Sequence, residues 1–173
     1  MARAPSASAK AGPPVNRRLS RAATSAKEPY AHYVAIAGPH AVVIDTNVLI
    51  DVLNNHPVWA LWSLSQLAPL IEARRATIIP IIYAELAAGY PTIEALEAAL
   101  QLLRLTRESL TWEAAFLAGK AYKLYRKRGG TKRSPLPDFY IGAHASLAGH
   151  ALLTRDPQRY REYFPKLKVI APK

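Results

Sequence analysis

The sequence contains no cysteine, and this absence removes several classes of function at once. Without thiols there are no disulfides, no zinc sites built on thiolates and no cysteine nucleophile. Long apolar runs are also missing. The longest, over residues 57–71, is interrupted by serine, glutamine and proline, and it falls short of the roughly 20 residues that a bilayer requires. We therefore expect no membrane span, and a reducing compartment is compatible with the composition.

Acidic residues are scarce, because 12 Asp and Glu stand against 23 Lys and Arg, for a net charge of +11. A surface of this sign attracts polyanions such as nucleic acids. Residues 1–40 hold six basic residues, one acid and few large apolar side chains. Such a segment cannot offset the entropy lost on ordering, so we predict a disordered basic tail over residues 1–40. Its composition also resembles that of an organelle transit peptide.

The remaining 133 residues, 41–173, are enough for one compact domain. Short β-branched runs, such as residues 41–44, alternate along this part with segments of helical spacing, such as residues 111–128. Alternation of this kind favours a parallel sheet whose crossovers are helices. We predict an α/β domain with an open, mostly parallel sheet of about four to five strands and helices on both faces.

The chain has only four aspartates, and two of them, Asp45 and Asp156, directly follow apolar runs that we predict to be strands. The carboxyl ends of parallel strands form the ligand crevice of an open sheet. Asp138 begins a predicted helix, and Glu85 is the only charge in an apolar helix. Carboxylates gathered in one crevice repel each other and therefore bind cations or take up protons. With no Cys or His beside them, an all-oxygen site suits Mg²⁺ or Mn²⁺.

Each acid also has an ordinary structural explanation. Asp45 and Asp138 can cap helices, and Asp156 precedes a proline and can belong to a simple turn. Glu85 can face solvent. The combination of a basic chain with several acids near strand ends is what indicates a nuclease, because a metal-bound crevice can activate water and stabilise a phosphoryl group.

Four motifs, in order, resemble those of the PIN domain, and in particular those of VapC-type toxin ribonucleases. They are Val-Ile-Asp-Thr-Asn-Val-Leu-Ile-Asp at 43–51, Tyr-Ala-Glu-Leu at 83–86, Asp-Phe-Tyr-Ile-Gly-Ala-His-Ala at 138–145 and Leu-Leu-Thr-Arg-Asp at 152–156. One such motif is weak, since an Asp after a strand is ordinary. The resemblance rests on all four together and extends from residue 42 to residue 173.

This resemblance implies a single PIN-like nuclease domain over residues 41–173 that hydrolyses the phosphodiester bonds of RNA with Mg²⁺ or Mn²⁺. The catalytic and metal-binding residues that it implies are Asp45, Glu85, Asp138 and Asp156, of which Asp45 and Asp138 are the expected direct ligands. Asn47 and Thr154 are expected to support these carboxylates by hydrogen bonds. Asp51 would have a supporting role at most.

The resemblance also implies the biological setting: the toxin of a type II toxin–antitoxin pair, acting in the cytoplasm. An RNA substrate, a cognate antitoxin and a homodimer are the partners expected of such a protein. The apolar helices around Trp59 and Trp62 and over residues 93–103 are where the antitoxin would bind; the alternative is that their apolar side chains belong to the core. Two alternatives stay open: a housekeeping PIN nuclease of RNA processing, and a catalytically inactive PIN module that binds RNA.

A basic stretch precedes Asp138 and has no acid after Glu113. We predict that its basic side chains contact RNA phosphates: Lys120, Lys123, Arg126, Lys127, Arg128, Lys132 and Arg133. Tyr122 and Tyr125 are interleaved and can stack on unpaired bases. The alternative is that the cations stabilise a helix C-terminus and the tyrosines belong to the core.

Other residues fit this picture less well. His144 lies six residues after Asp138, about 240° around the helix, so we expect it to point away from the acids. His150 has no motif around it, and we treat it as incidental. Asn47 occupies the position of the second aspartate that haloacid-dehalogenase phosphatases require, and the acidic pair of receiver domains and the Gly-x-Gly-x-x-Gly of dinucleotide-binding folds are both missing.

Overall fold

The computed structural model describes residues 41–173, and the predicted basic tail over residues 1–40 lies outside the described residues. The elements are, in chain order, β1 (Val42–Ile44), α1 (Thr46–Leu53), α2 (Ala60–Glu72), β2 (Ala76–Ile78), α3 (Pro80–Ala87), α4 (Ile93–Gln101), β3 (Thr106–Arg107), α5 (Trp112–Lys127), α6 (Pro137–Ala148), β4 (Ala151–Leu153), α7 (Gln158–Tyr163) and β5 (Val169–Ile170). Across residues 41–173, no helix combines the length and the apolar character needed to cross a membrane.

The five strands form one sheet in the order β3-β2-β1-β4-β5, and every neighbouring pair is parallel. The chain winds outward from β1 through β2 to β3, then returns past β1 and winds outward again through β4 to β5. Because crossovers between parallel strands are right-handed, α1 to α4 cover one face of the sheet and α5 to α7 the other. The predicted α/β architecture is confirmed.

The direction of winding reverses between β1 and β4, at the centre of the sheet. Ligands of open α/β folds bind at such a switch point, outside the carboxyl ends of the strands. Asp45 is the first residue after β1, and its backbone N–H donates to the carbonyl of Leu153, the last residue of β4, at 2.9 Å. Thr154 follows Leu153 directly. The topology therefore places the first and fourth motifs side by side.

Two apolar clusters hold these layers in place. The larger one contains the fully buried strands β1, β2 and β4 together with inward-facing residues of α1, α3, α4 and α6. The smaller one lies between α5 and α6, where Ala118 and Ala121 meet Phe139 and Ala143, and Phe164 closes it. Because alanines form much of this contact, α5 and α6 pack closely.

Helix ends follow the expected chemistry at two positions and differ at two others. The sequence predicts caps at Thr92 and Thr111, and these residues do cap α4 and α5, each by accepting a hydrogen bond from the backbone N–H three residues later. Helical spacing from residue 48 predicts a first helix that starts there, but α1 begins two residues earlier, at Thr46, because Asp45 is its N-cap. Helix α6 begins at Pro137, so Asp138 lies in its first turn and is not its cap. The pattern of residues 103–106 favours a short strand there, but β3 is Thr106–Arg107.

We predict that Gly142→Ala destabilises the protein although alanine favours helices. A Cβ at Gly142 would lie 2.5 Å from ring carbons of Phe164, which is itself buried. Overpacking of this kind costs about 1–3 kcal/mol, more than the roughly 1 kcal/mol that alanine adds in a helix. Gly119→Ala in α5 is the matched control, because its Cβ would meet nothing within 4 Å. Urea unfolding should show a loss for Gly142→Ala and a gain for Gly119→Ala; equal gains would contradict this packing.

Candidate functional site

The carboxylate of Asp45 is the centre of the site and is 5% exposed. Its Oδ1 accepts one hydrogen bond, from the backbone N–H of Thr46 at 2.8 Å. Its Oδ2 accepts three, from Asn47 Nδ2 at 2.9 Å, Thr154 Oγ1 at 2.6 Å and the Tyr160 hydroxyl at 3.1 Å. The donors come from α1, from the residue after β4 and from α7. They fix the carboxylate and leave lone-pair capacity on Oδ1.

Burial and hydrogen bonding act on Asp45 in opposite directions. Burial raises the pKa of the Asp45 carboxyl group above its ordinary value, and the hydrogen bonds from Thr154, Tyr160, Thr46 and Asn47 oppose this rise. Burial, followed by the charge of Asp45, raises the pKa of Tyr160 well above its usual range. Tyr160 therefore stays protonated and remains a hydrogen-bond donor to Asp45 at any physiological pH.

Thr46 joins Asp45 to Glu85. Its backbone N–H donates to Asp45, and its hydroxyl donates to Glu85 Oε2 at 2.5 Å. Glu85 lies on α3 and is partly buried. Burial raises the pKa of Glu85, the hydrogen bond from Thr46 opposes the rise, and the negative charge of Asp45 adds to it. The carboxylates of Asp45 and Glu85 are therefore close enough to repel each other.

Asp138 has a cationic partner that the sequence did not suggest. Its Oδ2 forms an ion pair with Nη1 of Arg159 on α7, and both side chains are partly exposed. The free backbone N–H groups in the first turn of α6 also favour a negative charge at Asp138. A positive charge thus already lies against one of the two residues expected to be direct metal ligands.

The carboxylates of Asp156 and Asp51 share no hydrogen-bond donor with those of Asp45, Glu85 and Asp138 among the described residues. Asp156 is exposed, and among the described residues its carboxylate makes no hydrogen bond or ion pair, although its backbone N–H donates to Thr154 Oγ1 at 3.1 Å. Asp51 is fully buried and accepts a hydrogen bond from Ser63 Oγ at 2.8 Å. Its Oδ1 lies 3.3 Å from Nη1 of Arg155, an ion pair without hydrogen-bond geometry. Asp51 therefore ties α1 to α2 and holds the loop after β4.

The four acids predicted to bind metal are Asp45, Glu85, Asp138 and Asp156. They suit a cation with oxygen ligands but do not enclose one tightly. No three of them, within residues 41–173, bring ligand oxygens within 4.8 Å of one another. The resemblance of the four motifs implies a divalent cation at these acids. The residues present fit such an ion, because the donors are carboxylate oxygens, Oδ1 of Asp45 has spare capacity, and the charge that raises the pKa of Glu85 is what a cation would neutralise. Arg159 would have to share or release Asp138.

The seven predicted RNA contacts are all exposed: Lys120, Lys123, Arg126, Lys127, Arg128, Lys132 and Arg133. Some have internal partners, since Arg128 pairs with Glu162 at 2.9 Å and Arg126 donates to the carbonyl of Lys132 at 2.9 Å. Lys123 and Lys127 have none among the described residues. Helix α5 therefore presents these two cations to solvent.

The two tyrosines interleaved in this stretch are used in packing. The ring centroid of Tyr125 lies 5.7 Å from that of Phe139, in the smaller apolar cluster, and 6.3 Å from that of Tyr122. The Tyr125 hydroxyl accepts hydrogen bonds from the backbone N–H groups of Thr131 and Lys132. Tyr125 thus orders the loop after α5 instead of presenting a free face.

The sequence predicts an incidental role for His150, but the structure places it with His144 against Glu108. His144 points away from the acids, as predicted, but its Nε2 lies 2.9 Å from Oε2 of Glu108, and Nε2 of His150 lies 3.1 Å from both carboxylate oxygens. Sequence separations of 36 and 42 residues hid this cluster. Thr46, Arg159 and Tyr160 were also missed, although Tyr160 lies one helical turn after Asp156 and Thr46 directly follows Asp45.

A family model described as "PIN domain" matches residues 42–164. Among proteins with curated functions, none matches the chain significantly. Several solved structures share its fold. VapBC2 from Rickettsia felis, bound to a DNA fragment from its promoter, aligns with a TM-score of 0.60 at 20% identity, over 77% of this chain and 99% of that chain.

Two further solved structures share this fold. VapBC-1 from nontypeable Haemophilus influenzae aligns with a TM-score of 0.55 at 24% identity, over 76% of this chain and 97% of that chain. A toxin–antitoxin complex from Klebsiella pneumoniae aligns with a TM-score of 0.55 at 23% identity, over 77% of this chain and 98% of that chain. At these identities, the structural likeness establishes the fold.

We predict that Tyr160→Phe destabilises the folded protein, because the carboxylate of Asp45 loses a hydrogen-bond donor. The ring is kept, but the buried carboxylate loses one donor, and a hydrogen bond to a charged group contributes about 1.5–3 kcal/mol. The pKa of Asp45 should rise further, because one interaction with its ionised form is removed. Tyr122→Phe is the matched control, since its exposed hydroxyl only reaches the carbonyl of Lys132.

Urea unfolding of both variants at pH 7 provides the measurement. If Tyr160→Phe is no less stable than Tyr122→Phe, the hydroxyl of Tyr160 contributes nothing to holding Asp45.

Proposed function

The chain belongs to the PIN domain family, and from this premise we propose that it is an endoribonuclease that depends on Mg²⁺ or Mn²⁺. The observation that carries the proposal is the buried, four-times hydrogen-bonded carboxylate of Asp45 at the switch point of the sheet, linked through Thr46 to Glu85. A buried charge is expensive, and perturbed carboxyl groups in a crevice are characteristic of functional sites.

Asp45, Glu85, Asp138 and Asp156 would hold the cation. When bound, it would activate water and stabilise the charge that develops on the scissile phosphate. Asn47 and Thr154 orient the carboxylate of Asp45: Asn47 Nδ2 also donates to Thr154 Oγ1 at 3.1 Å, so the two supporting side chains hold each other. Asn47 Oδ1 in turn accepts from the backbone N–H of Arg155 at 3.0 Å, which fixes the loop that carries Asp156.

Arg159 adds a cation at the edge of the same crevice. Its guanidinium is paired with Asp138 and remains partly exposed. A planar guanidinium suits a phosphate as well as a carboxylate. We propose that Arg159 balances the charge of Asp138 and helps to admit the RNA backbone to the acids, which by themselves would repel it.

RNA is the proposed substrate because a basic surface accompanies the acidic crevice. Lys123 and Lys127 are exposed on α5, and the loop after this helix adds Lys132 and Arg133 before the chain reaches Asp138. Cations that contact phosphates release counterions and so favour binding. The same surface would serve the runner-up functions, a housekeeping nuclease of RNA processing or an inactive RNA-binding module. The intact acids favour an active enzyme over the latter.

An antitoxin is the proposed protein partner, which would make this chain the toxin of a type II pair acting in the cytoplasm. The solved structures that share its fold include complexes named as VapBC and as toxin–antitoxin. In this chain, α2 and the ends of α4 expose large apolar side chains: Leu61 and Leu64, and Ile93 and Leu102. Exposed apolar side chains in such numbers are typical of protein interfaces. A homodimer through part of this surface is also proposed.

We predict that Asp138→Asn abolishes cleavage but leaves the fold intact. The amide keeps the shape but loses the charge that a cation requires, so cleavage of single-stranded RNA with Mn²⁺ should fall by about 100-fold or more. Stability should change by only about 0–1 kcal/mol, because the pair with Arg159 is partly exposed.

Glu162→Gln is the matched control for this variant. Glu162 also forms a partly exposed ion pair with an arginine, but its partner is Arg128 and the pair lies outside the acidic site. It should cost similar stability and keep full cleavage. Cleavage by Asp138→Asn within about twofold of wild type would contradict the role of Asp138.

We also predict that Lys123→Ala/Lys127→Ala weakens RNA binding and reduces its dependence on salt. Each phosphate contact makes the slope of log affinity against log salt more negative by about 0.7 for single strands. Lys166→Ala/Lys173→Ala removes the same charge from residues near the C-terminus and should leave the slope unchanged. Fluorescence anisotropy without divalent metal, across a salt series, measures this; equal slopes for the two variants would show that RNA does not use α5.

A further inference from the structure

Three side chains from separate segments meet at one point outside the acidic site. Glu108 follows β3, where its backbone N–H extends the sheet by donating to the carbonyl of Ile78 at 2.9 Å. His144 lies in the middle of α6. His150 lies in the turn between α6 and β4, just after Gly149, whose positive φ of 68° ends the helix. The convergence is therefore a product of the tertiary fold.

The spacing of their polar atoms matches that of ligands around one metal ion. His144 Nε2 lies 2.9 Å from Oε2 of Glu108, and His150 Nε2 lies 3.1 Å from Oε1 and from Oε2. Ligands at about 2.0–2.1 Å from zinc, in ordinary coordination angles, are about 3–3.4 Å apart. One ligand atom from each of the three residues lies within 4.8 Å of the others. Little movement is needed for all three to reach one ion.

The cluster is largely shielded from solvent, since the side chains of His144, His150 and Glu108 are 5%, 12% and 28% exposed. Metal binding requires a neutral imidazole and an ionised carboxylate. Burial lowers the pKa of His144 and so favours its neutral form, although Glu108 opposes this.

We infer that Glu108, His144 and His150 form a binding site for a transition-metal ion of the zinc class, separate from the acidic site. Two imidazole nitrogens and one carboxylate oxygen are a donor set that zinc prefers, whereas Mg²⁺ prefers oxygen alone. His150 also lines a cavity of 340 Å³, together with Ser146 and Lys168. The inference does not depend on the proposed nuclease function.

The site would act as a cross-link. Strand β3 is a two-residue edge strand, and the ion would tie the residue after it to α6 and to the turn before β4. Binding to the folded state alone raises its stability by mass action.

Hydrogen bonding among the three residues is the alternative, and it differs from coordination in where the protons lie. Hydrogen bonds to Glu108 require both histidines to carry a proton on Nε2, whereas coordination through Nε2 moves that proton to Nδ1. Nδ1 of His150 is buried and has no partner among the described residues. The ¹⁵N shifts of the imidazole rings report which nitrogen is protonated.

Titration of the metal-free full chain with Zn²⁺, in buffer with excess Mg²⁺, tests the site by calorimetry and by melting temperature. Wild type and Asp45→Asn/Asp138→Asn should both bind one equivalent and melt at a higher temperature with zinc. Glu108→Gln and His150→Gln should each bind at least about tenfold more weakly. Glu97→Gln is the matched control, because this carboxylate pairs with Arg107 and lies outside the cluster; it should bind zinc normally.

Failure of zinc to bind wild type, or equal binding by Glu108→Gln and His150→Gln, would overturn the inference. Zinc binding lost only in Asp45→Asn/Asp138→Asn would assign the ion to the acidic site and would also overturn it. If either ligand variant fails to fold, the imidazole ¹⁵N shifts of wild type decide: zinc must move the proton of both rings from Nε2 to Nδ1. Loss of RNA cleavage in any variant has no bearing on this result.

Discussion

The burial of one carboxylate, that of Asp45, is the constraint on which the rest of the site depends. Moving an ion from water into a protein interior costs on the order of several kcal/mol, even after the protein relaxes, unless hydrogen bonds replace the lost hydration. Four donors do so here, and they come from the start of α1, the end of β4 and α7. The charge is therefore what holds α1, the central pair of strands and α7 in one arrangement at the edge of the sheet.

The same charge sets the electrostatics around it. It raises the pKa of Glu85 in addition to the effect of burial, and it adds to the effect of burial on Tyr160. Asp138, farther out, is balanced by Arg159. Beyond these, the exposed charges of α5 after Glu113 are all basic. The molecule thus separates a small negative crevice from a positive surface, which is the arrangement expected if a polyanion is held by one and brought to a cation in the other.

Much of this could be predicted from the sequence because the signals are local. Buried strands are short apolar runs, Thr92 and Thr111 are ordinary caps, and Asp45 and Thr154 follow strands that the parallel topology must bring together. Contacts between distant residues could not be predicted in this way. The pairing of Asp138 with Arg159, the hydroxyl of Tyr160 on Asp45, and the approach of His144 and His150 to Glu108 depend on how α6, α7 and the end of β3 pack, and no short pattern encodes that geometry.

The central claim is that Asp45 is a buried carboxylate prepared for a cation, and its titration tests this most directly. The side-chain carboxyl ¹³C resonance of Asp45 can be followed against pH with and without saturating Mg²⁺, the ion being diamagnetic. Because burial raises the pKa of Asp45 and a cation favours its ionised form, we expect a midpoint above the ordinary value without Mg²⁺ and a clear downward shift with it. An ordinary midpoint, or one that Mg²⁺ leaves unchanged, would contradict the account.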